Sequence, residues 1–157
     1  MRNEGSRKEA VAARVVSPGK NGKATVRDIS VIVETDLDIV GARYQGRTLA
    51  TAMGFSPGDA TLIATAISEL ARNIILYAKR GEIILKPLAR TDASGLMIVA
   101  RDKGPGIADV QRALQDGYST SQSLGLGLPG VRRLMDEFEI VSEVNRGTQV
   151  TVKKWKR

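Results

Sequence analysis

A glutamate and an asparagine interrupt the apolar pattern of one long helical segment, predicted at residues 60–79. The helical period of 3.6 residues places Glu69 and Asn73 on a stripe that is otherwise apolar, formed by Leu62, Ala66 and Leu76. A buried carboxylate without partners is costly, so a helix with a purely structural role rarely carries one there. Either the stripe lines a pocket in which the acid and the amide face one ligand, or it reaches the edge of the sheet and Glu69 meets water.

A second polar cluster follows a predicted strand, in the segment Asp102-Lys103-Gly104-Pro105-Gly106-Ile107. A tight turn alone accounts for most sequences in which two glycines flank a proline. A carboxylate at the end of a strand is also well placed to accept a hydrogen bond from a ligand amino group, and nearby glycines let a flat ring approach the backbone. The segment is therefore either a structural turn or one wall of a ligand pocket.

The third candidate is a glycine-rich segment before a predicted helix, Gly125-Leu126-Gly127-Leu128-Pro129-Gly130-Val131, which follows a run of hydroxyl residues at 119–121. Glycines at this place expose backbone N–H groups at the positive end of the helix dipole, which favours an anion. The segment is either such an anion site or a flexible loop, and its spacing matches neither the P-loop nor the Rossmann motif. A last element, Arg146-Gly147-Thr148, enters the final predicted strand and is weak evidence by itself.

The composition limits the chemistry that these residues can perform. The chain has 157 residues, 42% of them apolar, which suits one domain with a substantial core. It contains no cysteine and no histidine, so thiol chemistry, cysteine zinc sites and histidine-based acid–base catalysis are excluded for these residues. Carboxylates, amides, hydroxyls, cations and the backbone are left to do the chemistry.

Part of the net charge of +7 is concentrated at the N-terminal end. Residues 1–30 hold seven Lys and Arg against three acidic residues, and we expect residues 1–25 to form a flexible basic extension. A nucleic-acid-binding tail is the alternative, but no recognition motif supports it, and few aromatic residues are present for stacking. No hydrophobic signal core is present, and no apolar run approaches the ~18 to 20 residues that span a bilayer. We therefore expect a cytoplasmic protein without nucleic-acid or membrane partners.

The elements that must position these motifs alternate between strands and helices. Strands are predicted at 30–34, 82–87, 96–101, 139–143 and 148–154. Helices are predicted at 36–52, 60–79, 108–115 and 128–137, the second one capped by Asp59 and stopped by Gly81. This order is typical of an α/β fold, a two-layer sandwich in which helices cover one face of a mixed sheet. Residues 26–157 would form this domain.

In their order and spacing, the motifs resemble those of the GHKL, or Bergerat-fold, superfamily of ATPases and kinases. The four motifs, called boxes below, are residues 69–73 on a helix, 102–107 after a strand, 125–131 before a helix and 147–148 in the closing strand. Within that superfamily, the amino-acid sequences of segments 68–74, 117–121 and 127–138 resemble those of the anti-sigma-factor serine kinases, and most closely those of the stressosome switch kinases. The resemblance covers about residues 30–157 and leaves out the basic extension.

The resemblance implies a role for each box in binding ATP and Mg²⁺. Glu69 would be the general base, and Asn73 would coordinate Mg²⁺ through its side-chain oxygen. Asp102 would accept the adenine amino proton, with Thr148 nearby through water. The other implied nucleotide contacts are Gly104, Gly106 and Ile107 beside the base, Leu76 and Tyr77 opposite, and Ser119, Thr120, Gly125, Leu126, Gly127 and Leu128 around the phosphates. Residues 108–124 would form a lid over the nucleotide.

The implied activity is phosphorylation of a serine or threonine on a partner protein. The absence of histidine argues against a sensor histidine kinase, and the chain is too short for the transducer domains of gyrase-like or Hsp90-like ATPases. The substrate would be a STAS-domain scaffold protein of the stressosome, and the released kinase would activate a downstream PP2C-type phosphatase. One alternative is an anti-sigma factor that sequesters a sigma subunit and phosphorylates an anti-anti-sigma factor. Another is an ATP-binding switch without catalysis, against which Glu69 and Asn73 both argue.

Overall fold

A computed structural model describes residues 14–15, 27–115 and 127–157. Within these ranges the elements are β1 (Arg14–Val15), β2 (Ile29–Val33), α1 (Asp36–Ala52), α2 (Pro57–Ala78), β3 (Gly81–Ala89), β4 (Ser94–Asp102), α3 (Val110–Ala113), α4 (Gly127–Leu134), β5 (Glu137–Glu143) and β6 (Gly147–Trp155). The predicted order of strands and helices is confirmed, and β1 is a short addition to it. Predictions for the rest of residues 1–26 and for residues 116–126 lie outside the described residues.

The strands form one sheet in the order β1-β2-β3-β4-β6-β5, and the helices pack on one of its faces. This confirms the predicted two-layer α/β sandwich. Every described pair of neighbouring strands is antiparallel, whereas the sequence predicted a mixed sheet. The connections explain the difference. Helices α1 and α2 together link β2 to β3, and the chain enters β3 running antiparallel to β2. The hairpin of β5 and β6 then places β6 between β4 and β5, which run in the same direction.

Helix α2 is the central element of the helical layer. It begins one turn earlier than predicted, because Ser56 is its N-cap and accepts a hydrogen bond from the Asp59 backbone N–H at 3.1 Å. Pro57 favours this start, since the first turn of a helix needs no N–H donor there. The helix ends before Lys79, whose φ of 68° is left-handed.

The core lies between α2 and the sheet, and it is formed by aliphatic side chains at the helical and alternating positions that the sequence indicates. Its fully buried members include Ile63, Ile67, Leu70, Ile83, Leu85, Leu96, Ile98 and Val152. Contrary to our expectation, one described helix, α2, is long and apolar enough to cross a membrane by length and composition. Half of its most apolar 18-residue window is buried inside the fold, as in the core helix of a sandwich.

A buried lysine and an aspartate fix the passage from α4 to β5. Lys154 Nζ donates to the Leu134 carbonyl at 3.0 Å and lies 3.8 Å from Asp136 Oδ1. Partial burial raises the pKa of Asp136, but the hydrogen bond from the Trp155 N–H and the charges of Arg157 and Lys154 outweigh it and hold that pKa below its usual value. These contacts end the helix at Leu134 and start β5 two residues earlier than predicted.

Two glycines of α1 provide a matched test of this packing. A Cβ at Gly46 would overlap Ile67 Cδ1 in the core, whereas a Cβ at Gly41 would meet nothing within 4 Å. We expect Gly46→Ala to lower the free energy of unfolding by about 1–3 kcal/mol, because the buried Ile67 must shift. Gly41→Ala should raise it by about 0.5–1 kcal/mol through helix propensity.

Urea denaturation of both variants checks this prediction. Equal effects of the two substitutions would show that α1 does not pack against α2 as described.

Candidate functional site

The glutamate that interrupts the apolar stripe of α2 is buried. Glu69 is 6% exposed, among the buried residues of α2. This excludes the alternative in which the stripe reaches the edge of the sheet and the carboxylate meets water. A buried carboxylate is tolerated only where donors compensate its charge, so its partners define the site.

Two donors hold the Glu69 carboxylate, one on each oxygen. Arg72 Nη1 donates to Oε1 at 3.1 Å, and the Gly127 N–H donates to Oε2 at 3.3 Å. Gly127 is the first residue of α4, where the helix dipole is positive and backbone N–H groups lack helical partners. Its φ of +63° suits glycine. Arg72 was not predicted as a site residue, although its i,i+3 spacing from Glu69 was a signal.

Further along α2, the side chains become more accessible towards the end of the helix. Asn73 is partly exposed, and its side chain makes no hydrogen bond to any residue that the structure describes. Leu76 is 39% exposed and Tyr77 is 53% exposed. At ~1.5 Å per residue, Leu76 lies about 10 Å beyond Glu69 along the helix axis. The predicted residues of α2 thus lie on one helix, with the acid buried and the others open to a ligand.

The turn after β4 packs against the end of α2. Asp102 Oδ1 accepts a hydrogen bond from the Gly104 N–H at 2.8 Å, so one carboxylate oxygen closes the turn itself. A Cβ at Gly104 would lie 2.5 Å from Ala78 Cβ. The glycine is therefore required by contact with the helix, a reason that differs from the expected approach of a flat ring. Asp102 lies beside the exposed end of α2, as the predicted pocket needs.

The hairpin of β5 and β6 supports the other side of this turn. Ser142 Oγ accepts a hydrogen bond from the Ile107 N–H at 2.7 Å and lies 2.7 Å from Thr148 Oγ1. Thr148 is the register partner of Asp102. A Cβ at Gly106, whose φ is +75°, would overlap the Glu143 carbonyl oxygen. The structure therefore brings Asp102, Gly106, Ile107 and Thr148 together around a serine that was not predicted from the sequence.

Some predicted phosphate contacts cannot be placed. Ser119, Thr120, Gly125 and Leu126 lie outside the described residues, as does most of the predicted lid. Gly127 and Leu128 begin α4, but the Leu128 side chain packs against the core. A role for Leu128 towards phosphate therefore concerns its backbone alone.

The donor set suits Mg²⁺ held together with phosphate. The described ranges contain no group of three or more His, Cys, Asp or Glu side chains that could hold a metal ion. Mg²⁺ often keeps several waters and binds through one or two protein oxygens plus the phosphates of a substrate. The accessible amide oxygen of Asn73 is a ligand of this kind, so the residues present fit the ion.

The comparisons with known proteins agree with this geometry. Residues 35–154 match the model of the histidine kinase-like ATPase domain, and the chain belongs to that family within the GHKL superfamily. It is 50% identical over 127 residues to the serine/threonine-protein kinase RsbT of Bacillus subtilis (strain 168). These residues cover 81% of this chain and 96% of RsbT. The predicted resemblance is therefore confirmed.

Two further similarities are more distant. The anti-sigma F factor of Halalkalibacterium halodurans is 35% identical over 101 residues, which cover 61% of this chain and 69% of that protein. A crystal structure of the RsbU and RsbW domains of a Mycobacterium tuberculosis protein superposes with a TM-score of 0.59 at 19% identity, over 86% of this chain and 34% of that one. The solved structure supports the fold, and the similarity to RsbT supports the activity. The chain is a protein serine/threonine kinase that uses ATP.

Proposed function

We propose that this kinase phosphorylates a STAS-domain scaffold protein of a stressosome, is released from it, and then activates a downstream PP2C-type phosphatase in the cytoplasm. The observation that carries the proposal is the identity to RsbT over 96% of that kinase, which includes the segment with Glu69 and Asn73.

In the proposed chemistry, Glu69 is the general base. Its carboxylate takes the proton from the acceptor hydroxyl as that oxygen attacks the γ-phosphorus of ATP and the bond to the bridging oxygen breaks, leaving ADP. The buried carboxylate of Glu69 supports this role, since both its oxygens are held in place by donors. Most of the rate comes from positioning and charge neutralisation, and the base adds ~10²- to 10⁴-fold.

The nucleotide would lie along the exposed end of α2. Asn73 would hold Mg²⁺, which neutralises phosphate charge, and the backbone N–H groups at the start of α4 would donate to phosphate oxygens. Asp102 Oδ2 is left to accept from the adenine amino group, since Oδ1 is engaged by the Gly104 N–H. Thr148 would contact the adenine through water, and Gly104, Gly106 and Ile107 would lie beside the adenine. Leu76 and Tyr77 would cover its other side.

A second candidate function is that of an anti-sigma factor. The specific observation in its favour is the 35% identity to the anti-sigma F factor of Halalkalibacterium halodurans. Affinity capture from a lysate of the source organism distinguishes the two functions, because the first predicts a STAS-domain protein as the partner and the second a sigma subunit.

Incubation with labelled ATP, Mg²⁺ and purified STAS-domain proteins tests the proposed function. We expect label on one serine or threonine of the partner, mapped by mass spectrometry. Glu69→Gln should abolish transfer and keep ATP affinity within a few-fold, because the amide is a poor base of nearly the same shape. Glu139→Gln, at an exposed position of β5, is the matched control. Transfer by Glu69→Gln at the wild-type rate would refute the role of the base.

The metal ligand is tested by calorimetry. Asn73→Ala should weaken the binding of Mg·ATP by about tenfold or more, because a hard oxygen ligand is lost, and change the binding of metal-free ATP much less. Gln149→Ala, on an exposed position of β6, controls for loss of an amide elsewhere. An equal loss of ATP affinity with and without Mg²⁺ would show that Asn73 contacts the nucleotide and not the metal.

Selectivity for the base tests the adenine contact. Asp102→Asn can still accept from the Gly104 N–H and thus keep the turn, but its amide donor opposes the adenine amino group. We expect the preference for ATP over GTP to fall by about tenfold or more, the size of one hydrogen bond to a charged group. Asp92→Asn, in the exposed turn between β3 and β4, serves as the control. Unchanged selectivity would place adenine elsewhere.

A further inference from the structure

Arg72 connects the buried carboxylate of Glu69 to the solvent. The Arg72 side chain is 39% exposed, the Glu69 side chain is 8% exposed, and Nη1 and Oε1 are 3.1 Å apart. The pair therefore spans the boundary between the core and the open end of the site. A guanidinium carries a positive charge and a rigid fork of donors that matches a carboxylate, so Arg72 is a suitable counter-ion for Glu69.

The other donor to Glu69 is one that the nucleotide would also use. The Gly127 N–H donates to Oε2 at 3.3 Å, beyond the usual range of 2.7–3.2 Å for such a bond. The same N–H belongs to the start of α4, where the proposed function places phosphate oxygens. A single N–H cannot serve both anions well, so the carboxylate loses this donor when a phosphate takes it.

We propose that Arg72 is the positioning residue that retains the Glu69 carboxylate when a phosphate oxygen takes the Gly127 N–H. The inference rests on the proposed function for Glu69 and for the start of α4. Arg72 stays on Oε1 throughout, which leaves Oε2 unpaired and facing the phosphates. That oxygen is then the one available to accept the proton of the substrate hydroxyl.

The charge of Arg72 has a second effect. Two anions that meet in a partly buried site repel each other strongly, because the effective dielectric constant there is low. A cation on the carboxylate lowers this repulsion, so Arg72 aids ATP binding without touching the nucleotide. Without Arg72, the carboxylate would keep the Gly127 N–H and compete with phosphate for it, so part of the effect of Arg72 on ATP affinity depends on the carboxylate of Glu69.

A double-mutant cycle tests this dependence. In the full-length chain, Arg72→Ala should lower kcat about tenfold and weaken ATP affinity several-fold, and Arg72→Lys should restore most of both. In the Glu69→Gln background, the same Arg72→Ala change should weaken ATP affinity by a smaller factor, because no carboxylate competes for the Gly127 N–H. Arg80→Ala, which removes an arginine paired with Glu34 on the surface, is the matched control and should leave all values unchanged.

Several results would overturn the inference. An equal loss of ATP affinity in both backgrounds would show that Arg72 acts on the nucleotide directly, by contact or by charge, and not through Glu69. An unchanged kcat in Arg72→Ala, or no rescue by Arg72→Lys, would also refute the positioning role. Urea denaturation establishes whether the variants fold. If Arg72→Ala does not fold, the comparison of Arg72→Lys with the wild type still tests the inference.

Failure of the proposed function has a different signature. In that case Glu69→Gln transfers phosphate at the wild-type rate, whatever Arg72 does. ATP affinity in the four members of the cycle is measured without transfer, so the coupling between Arg72 and Glu69 is tested separately.

Discussion

One buried charge, the carboxylate of Glu69, determines how the functional half of the molecule is assembled. The core around α2 is aliphatic, and an ionised group there requires compensation on each oxygen. Arg72 on the same helix supplies one donor, and the first N–H of α4 supplies the other. The second contact joins residues 58 positions apart in the sequence, so it fixes α4 against α2 as well as satisfying the acid. The same interaction that stabilises the fold therefore brings the proposed base to the proposed phosphate donors.

The end of the site that we assign to adenine depends on a different constraint, the close approach of backbones. A Cβ at Gly81 would lie 2.6 Å from the Arg101 carbonyl oxygen, and one at Gly147 would overlap the Asp102 carbonyl oxygen. Gly104 meets the end of α2 in the same way. Three strands and a helix thus converge on Asp102 at distances that only glycine permits. Among the described residues, this convergence holds the carboxylate at a defined place without a hydrogen bond from another side chain, and Oδ2 stays available to a ligand.

The sequence predicted the elements well where the signal was local. The apolar period gave both long helices, and the carboxylate in that period correctly indicated a special environment for Glu69. The errors arise where two local signals compete or where distant residues decide. Ser56 and Asp59 are both good caps, and Pro57 favours the first. The start of β5 depends on Asp136 contacts with the far end of β6. Ser142 alternates in phase with Ile140 within the predicted strand, but its contacts with Ile107 and Thr148 depend on how the turn and the hairpin meet. The antiparallel order likewise depends on a hairpin inserting between two strands, which no local pattern reveals.

The two donors of Glu69 also explain how a buried acid and the start of a helix are both satisfied within the fold. An anion-binding helix start without an anion would leave a partly buried N–H unsatisfied, and a buried acid without donors would favour protonation or exposure. Each group compensates the other, and no buried side-chain polar atom is unsatisfied among the residues that the structure describes. In the proposed mechanism, exchange of the carboxylate for a phosphate oxygen at that N–H would replace one charge-assisted hydrogen bond with another, so its net free energy would be small. Affinity for the nucleotide would then come from the other proposed contacts, chiefly those to the metal, the adenine and the further phosphate donors. The exchange would select the state in which the acid is free to accept a proton, and it would do so only when phosphate is present.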